Sequence, residues 1–272
     1  MYGGLGKDSV IKQTEASLKA MGIDSIDILY LHSPDINTGI EDTLQGISHL
    51  YESGKIKEFG LSNYPAWKVV DIFHRCDKMG TIKPSVYQGC YNAITRSMEF
   101  ELIPALRELG MRQYNYNPLC GGLLTGKYKS FNDEAAKTDG RFGDKSPISG
   151  PAYSSRYWKK AYFKALDVIR VACEKAEISM SEAAIRWLMH HSALSPAHGD
   201  GIILGASSIG HCVSNLAACA EGPLPPEVLS AYDEAWEITS SVADSYFRGY
   251  GSAPGISDHF LQMHQSDRVP NY

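Results

Sequence analysis

The residues of this chain best suited to chemistry share one kind of position, the end of an apolar, β-favouring run. His32 closes the run "IDILYLH", Ser62 and Asn63 follow "IKEFGL", and Gln88 follows "PSVY". Tyr116 and Asn117 close "MRQYNYN", and Ser207 and Ser208 close "GIILGASS". Ser, Asn and Gln can hydrogen-bond an amide-bearing ligand, Tyr offers a face to a flat ring, and His serves proton or carbonyl chemistry. A lone His in this place reads equally as a hydrogen-bonded core residue. Five polar strand ends in succession read as one site, because parallel α/β folds collect ligands at the C-terminal ends of their strands. Beyond them, "LCGGLLTGKY" sets glycines beside Lys127 and suits close backbone approach to phosphate oxygens; read alone it is equally a flexible loop.

Elements that could position these residues recur along the chain. Val10, Leu18 and Met21 mark a helix over residues 8–21 that leads into the strand 26–32. Ile40, Leu44, Ile47 and Leu50 form one stripe of a second helix, 40–53, followed by a strand from 56. Pro65 opens a third helix, and a strand follows from 84. A helix over 97–109 and a strand from 111 complete the regular part. These strand starts lie about 28 residues apart, the size of a minimal βα unit, so the sheet is expected to be parallel with helices outside it. From the residues alone a barrel and a doubly wound sheet both remain open. The Gly-rich stretch 120–151 precedes a long helix from about Ser154, a helix over 181–191 and a fifth strand, "GIILGASS". A helix containing Asn215 and one from Pro226 to Ile238 follow. The domain is expected to span 1–248, with 249–272 a flexible, Gly/Ser/Pro-rich tail.

Composition narrows the function. The chain of 272 residues carries a formal net charge of −5 and no dense Lys/Arg run, so neither nucleic acid nor an anionic membrane is an expected partner. No apolar stretch reaches the ~20 residues of a spanning helix and no signal-peptide core is evident, which points to the cytoplasm. The 6 cysteines form no C-x-x-C pair, and His190, His191 and His198 lack regular ligand spacing, so a metal hydrolase is disfavoured.

The segments "YLHSPD", "GLSNYPAW", "VYQGCYNAITR", "YNPLCGGLLTGKY", "AAIRWLMHHS" and "AHGDGIILGASS" together resemble the aldo-keto reductases, and among them the aflatoxin-aldehyde and succinic-semialdehyde reductase branch, over residues 8–248. The resemblance implies a (β/α)8 TIM barrel that reduces aldehydes or ketones with NADPH. By it, His32 orients the substrate carbonyl, and Ser62, Asn63 and Gln88 hold the nicotinamide carboxamide while Tyr116 stacks on the ring. Asn117, Leu119, Gly121 and Lys127 lie along the pyrophosphate, and Ser207, Ser208 and Asn215 lie near the adenosine 2′-phosphate. Arg156 and Arg248 match arginines that this branch places around anionic substrates; without the resemblance they read as solvated charges. Tyr2-Gly3 resembles the "YG" of the family's proton-donating tyrosine.

The pattern also departs from the family. About five of eight βα units are visible, so the barrel is expected to be N-terminally truncated, without the strands that carry the family's catalytic Asp and Lys. Turnover is then expected to be slow, and the open edge at residues 26–32 to favour self-association. His211 and Ser214 stand where the family usually has Gln and Glu/Gln. The alternative is a non-catalytic relative that binds a nucleotide or a partner.

Overall fold

The structure, a computed structural model, describes residues 4–132, 140–143 and 149–250. Tyr2, and the expected tail from residue 251 onward, lie outside the described residues. Five strands, β1 (Ile26–Leu31), β2 (Ile56–Ser62), β3 (Val86–Cys90), β4 (Arg112–Tyr116) and β5 (Gly201–Ile202), form one parallel sheet in chain order. Helices α1 (Lys7–Met21), α2 (Ile40–Glu52), α3 (Ala66–Met79) and α4 (Leu102–Glu108) alternate with the first four strands. After them come α5 (Ser149–Tyr157), α6 (Lys160–Lys175), α7 (Met180–His190), α8 (Ile209–Ala220) and α9 (Pro226–Ser240). Parallel strands in sequential order with helices between them are consistent with part of a (β/α)8 barrel.

Register decides which side chains share a face. Leu31, Leu61, Tyr87 and Gln113 are aligned across β1 to β4, and each is at most 2% exposed. This is the face that the helices cover. On the other face Tyr30, Gly60, Val86 and Arg112 are aligned, followed one pleat later by Ser62, Gln88 and Tyr114. A side chain at Gly60 would begin 2.7 Å from the Tyr30 ring and 2.8 Å from Val86, so only glycine allows these neighbours to close over β2. At the N-terminal end of the same face Arg112 donates to both Glu58 carboxylate oxygens at 2.8 and 3.0 Å.

Several expected boundaries move. β1 stops at Leu31, so His32 is the first residue of the loop. The helix expected over 97–109 divides into a 3₁₀ turn, Ser97–Glu99, and α4, because Pro104 cannot donate to the carbonyl of Phe100 and its ring crowds that group. The long helix expected from Ser154 is two helices. Lys159 is extended (φ −126°, ψ 144°) because Trp158 turns into a cluster with Tyr128, Phe142 and Phe163, at centroid distances of 4.9 to 5.3 Å. "GIILGASS" contributes only two paired residues: after Ile202 the chain gives one further backbone bond, Ile203 N–H to Asn115 O, and then leaves β4. Among the described residues β1 pairs only with β2, so its other edge carries no strand.

Candidate functional site

At the C-terminal ends of β1 to β4 one side chain connects the others. Asn63 adopts the left-handed backbone conformation (φ 63°) just past β2, and its side chain is 1% exposed. Asn tolerates that conformation better than most residues. Its Nδ2 donates to the backbone carbonyl of His32 at 2.7 Å and to Ser62 Oγ at 3.0 Å, and its Oδ1 accepts from the Tyr116 hydroxyl at 2.9 Å. Its own backbone carbonyl accepts from Arg248 N–H at 2.9 Å. The ends of β1, β2 and β4 and the chain near Arg248 are thereby fixed to one residue.

Ser62 pairs with Gln88 across β2 and β3, which puts a hydroxyl and a half-buried amide side by side at the mouth. The Ser62 hydroxyl receives the Asn63 bond and keeps its own proton to donate. His32 is exposed beside them. Partial burial of its ring and the nearby charge of Arg248 lower its pKa, so the imidazole is neutral at pH 7. Burial raises the pKa of the Tyr116 phenol, which keeps its proton.

A second group adjoins the first. Asn117, also left-handed (φ 61°), accepts from the Tyr153 hydroxyl at 2.9 Å and donates to the Tyr157 hydroxyl at 3.3 Å, and its backbone carbonyl accepts from Asn92 Nδ2 at 3.0 Å. Tyr157 also contacts Cys90 Sγ at 3.1 Å. Arg156 is 5% exposed and lies against Tyr116, Cys90 and Tyr157, with Asp244 at 4.0 Å; the reading of Arg156 as a solvated charge is thereby corrected. Arg248 is half-buried beside Tyr116 and Arg156. Gly121 (φ 67°) lies so close to the Tyr153 ring that a Cβ there would meet it at 2.5 Å. Leu119 precedes the 3₁₀ turn Cys120–Thr125 that carries Gly121, and Lys127 beyond it is exposed, its Nζ 4.6 Å from the Tyr128 ring centroid.

Ser207, Ser208 and Asn215 form a separate cluster at the start of α8. Ser208 caps the helix by accepting from His211 N–H at 3.1 Å, and Ser207 Oγ lies 3.0 Å from His211 Nδ1. Asn215 Nδ2 donates to Gly205 O at 3.1 Å. Both serines are exposed, as are His211 and Ser214. The three histidines weighed as metal ligands are placed differently: His190 Nε2 lies 2.7 Å from Glu221 O, His191 Nε2 accepts from Leu224 N–H at 2.8 Å, and His198 is exposed at the end of the 3₁₀ turn Pro196–His198. Among the described residues no group of three His, Cys, Asp or Glu could hold a metal ion.

Sequence reasoning missed Tyr153, Tyr157 and Cys90. Tyr153, Arg156 and Tyr157 stand at i, i+3 and i+4 of α5, a spacing that places them on neighbouring positions of the helix and could have marked them.

The sequence model of the Aldo/keto reductase family matches residues 3–237. The chain is 45% identical over 248 residues to human "Aflatoxin B1 aldehyde reductase member 2", covering 90% of this chain and 68% of that protein. It is also 45% identical over 248 residues to human "Aldo-keto reductase family 7 member A3", covering 90% of this chain and 74% of that protein. To "Oxidoreductase sirO" of Leptosphaeria maculans it is 35% identical over 242 residues, 88% of this chain and 71% of that protein.

Proposed function

The chain belongs to the aldo/keto reductase family, oxidoreductases that act on carbonyl groups with a nicotinamide cofactor, and from that premise we propose that it reduces an aldehyde or ketone with NADPH at the strand ends around His32. The observation that carries the reading is the Asn63 amide, which ties the His32 carbonyl to the Tyr116 hydroxyl. A non-catalytic role for the chain is not favoured.

The donor set fits a nicotinamide. Ser62 and Gln88, paired across two strands, offer the donor and acceptor that a carboxamide needs, with Asn63 behind them, and Tyr116 offers a ring face. When bound, the cofactor supplies a hydride to the carbonyl carbon. Negative charge then grows on the carbonyl oxygen, and the neutral His32 ring has an N–H to donate toward it. Asn63 holds the His32 backbone, so the imidazole starts from a fixed point. Tyr2 is assigned delivery of the proton. Arg156 and Arg248 put two positive charges beside Tyr116 and favour a substrate with an anionic substituent. Asn117, Leu119, Gly121 and Lys127 are assigned to the pyrophosphate, and Ser207, Ser208 and Asn215 at the start of α8 to the 2′-phosphate, where helix N–H groups suit an anion. Among the described residues no helix is long and apolar enough to cross a membrane, and a cytoplasmic setting is proposed with the reaction.

The test is NADPH oxidation by the purified chain with an aromatic aldehyde bearing a carboxylate. Turnover that falls in His32→Ala and in Tyr2→Phe is the expected result. Turnover at the wild-type rate in both variants would overturn the assignment of the site.

A further inference from the structure

The link between α8 and α9, residues 221–225, is held by the last turn of α7, where two adjacent histidines bond it with opposite chemistry. Arg186 donates to the carbonyls of Gly222 and Pro223 at 2.7 and 2.8 Å. His190 Nε2 faces the Glu221 carbonyl at 2.7 Å, and His191 Nε2 faces the Leu224 N–H at 2.8 Å. Each residue from Glu221 to Leu224 is thereby tied to α7 through its backbone. None of these residues has a part in the reductase site proposed above.

The partners decide which ring nitrogens carry protons. A carbonyl only accepts, so His190 Nε2 must be an N–H, which both the neutral and the protonated imidazole offer. A backbone N–H only donates, so His191 Nε2 must present a lone pair, and only the neutral ring with its proton on Nδ1 has one there. Protonation leaves the first bond intact and sets N–H against N–H in the second. The loss falls on a buried residue, since Leu224 is 6% exposed.

The surroundings of the His191 ring favour its neutral form. Partial burial lowers its pKa below the ordinary 6.5, and the neighbouring His190 and Arg186 of α7 lower it further. Asp233 of α9 opposes them without reversing the shift, and Glu221 of the link is exposed. The bond to Leu224 is therefore whole at pH 7 and is lost as pH falls below 6.5 and passes the lowered value.

The element that depends on this clasp is α8. Of its 12 residues only Asn215 and Ala218 are buried, and its main packing partner is α7. Among the described residues its side-chain hydrogen bonds all go to its own start, at Ser207, Ser208 and Gly205. Its far end is placed by the link.

We propose that His191 is a positioning residue for the cofactor: its neutral ring closes a clasp on the α8–α9 link, and protonation opens the clasp and loosens α8. The role rests on the assignment of the start of α8 to the 2′-phosphate of NADPH. Acid then weakens the hold on the cofactor from a point outside the site.

The experiment takes the full chain downward from about pH 8 with readouts on the clasp and on the cofactor. Nitrogen NMR of labelled histidine reads the tautomers, expected as Nδ1–H in His191 and Nε2–H in His190. The protection factor of the Leu224 amide, which removes the direct effect of pH on exchange, reads the clasp without cofactor. Fluorescence titration gives the Kd for NADPH. As pH falls below 6.5, Leu224 protection should drop about fivefold and Kd should rise about threefold to tenfold. His191→Gln, whose side-chain oxygen can still accept from Leu224 N–H, should lose both changes and bind NADPH like wild type at about pH 8. His190→Gln should keep both. The 2′-phosphate and His211 are common to all three proteins, so the difference between them isolates His191. A proton on His191 Nε2 at neutral pH, a Leu224 amide indifferent to pH, or a pH-dependent Kd that survives His191→Gln would overturn the proposal. No NADPH binding at any pH would overturn the reductase reading and this positioning role with it, while the Leu224 amide would still report the clasp.

Discussion

The ends of β2 to β4 and the start of α8 are assigned to opposite ends of one cofactor, yet they are built in opposite ways. At the strand ends the polar side chains reach across long stretches of sequence, from Asn63 to the His32 backbone carbonyl and to the Tyr116 hydroxyl, and from Tyr153 to Asn117. At α8 they bond within ten residues of themselves: Ser208 accepts from His211 N–H, Ser207 Oγ meets His211 Nδ1, and Asn215 donates to Gly205 O. Asn63, at the centre of the first arrangement, is buried, and Tyr116, Asn117 and Tyr153 are half-buried, while the serines of the second are exposed. Removing a buried partner strands another polar group, while removing an exposed one hands its place to water. Function and stability should therefore change together at the strand ends and separately at α8.

The largest effect expected is at His32. His32→Ala should lower kcat by about 10²-fold or more, with NADPH affinity changed far less, because the role proposed for the ring is on charge that develops during reaction. An equal loss in both quantities would make His32 a binding residue. Its titration gives a second check. The folded pKa lies below the ordinary 6.5, so both states of the chain are neutral at pH 7. As pH falls below 6.5 the unfolded chain takes up the proton first, and the folded state loses stability until pH passes the lowered folded value. His32→Gln should flatten that loss as pH falls below about 6.5 in urea titrations.

Asn63→Ala should cost about 2–3 kcal/mol in urea unfolding, since it leaves the His32 carbonyl and the Tyr116 hydroxyl unpaired and puts Ala at φ 63°. It should lower kcat as well. A stable, fully active variant would dissolve the contrast with α8.

Ser208→Ala should cost about 1 kcal/mol as a lost helix cap and weaken NADPH several-fold, with NADH unchanged. Equal weakening of both cofactors would remove the 2′-phosphate from this helix start.

Gln113 and Asn115 sharpen the comparison from the other side. Both are 0% exposed on the helix-covered face of β4, and among the described residues all four of their side-chain polar atoms lack partners. Here burial comes without the bonds that Asn63 enjoys. Gln113→Leu should therefore leave stability unchanged or raise it by about 1 kcal/mol, measured as Tm, with no change in kcat. A loss would show that these amides have an acceptor of their own. The free edge of β1 also remains an expected contact between copies, and a concentration-independent monomer in sedimentation would count against it.

What the sequence by itself determined is what repeats over short distances. Periodicity set the alternation of β1 to β4 with α1 to α4, and the polar residue after each apolar run marked His32, Ser62, Gln88 and Tyr116, because strand pleat and helix pitch are properties of neighbouring residues. Tertiary structure decided what joins residues far apart. No local rule tells that Asn63 reaches both His32 and Tyr116, or that Arg156 is buried rather than solvated. The same holds for the break at Lys159, where Trp158 packing overrides continuous helix propensity, and for "GIILGASS", cut to two paired residues where it leaves its neighbour. Such contacts depend on the path of the whole chain, and their energies exceed the few tenths of a kcal/mol by which ordinary residues differ in intrinsic preference.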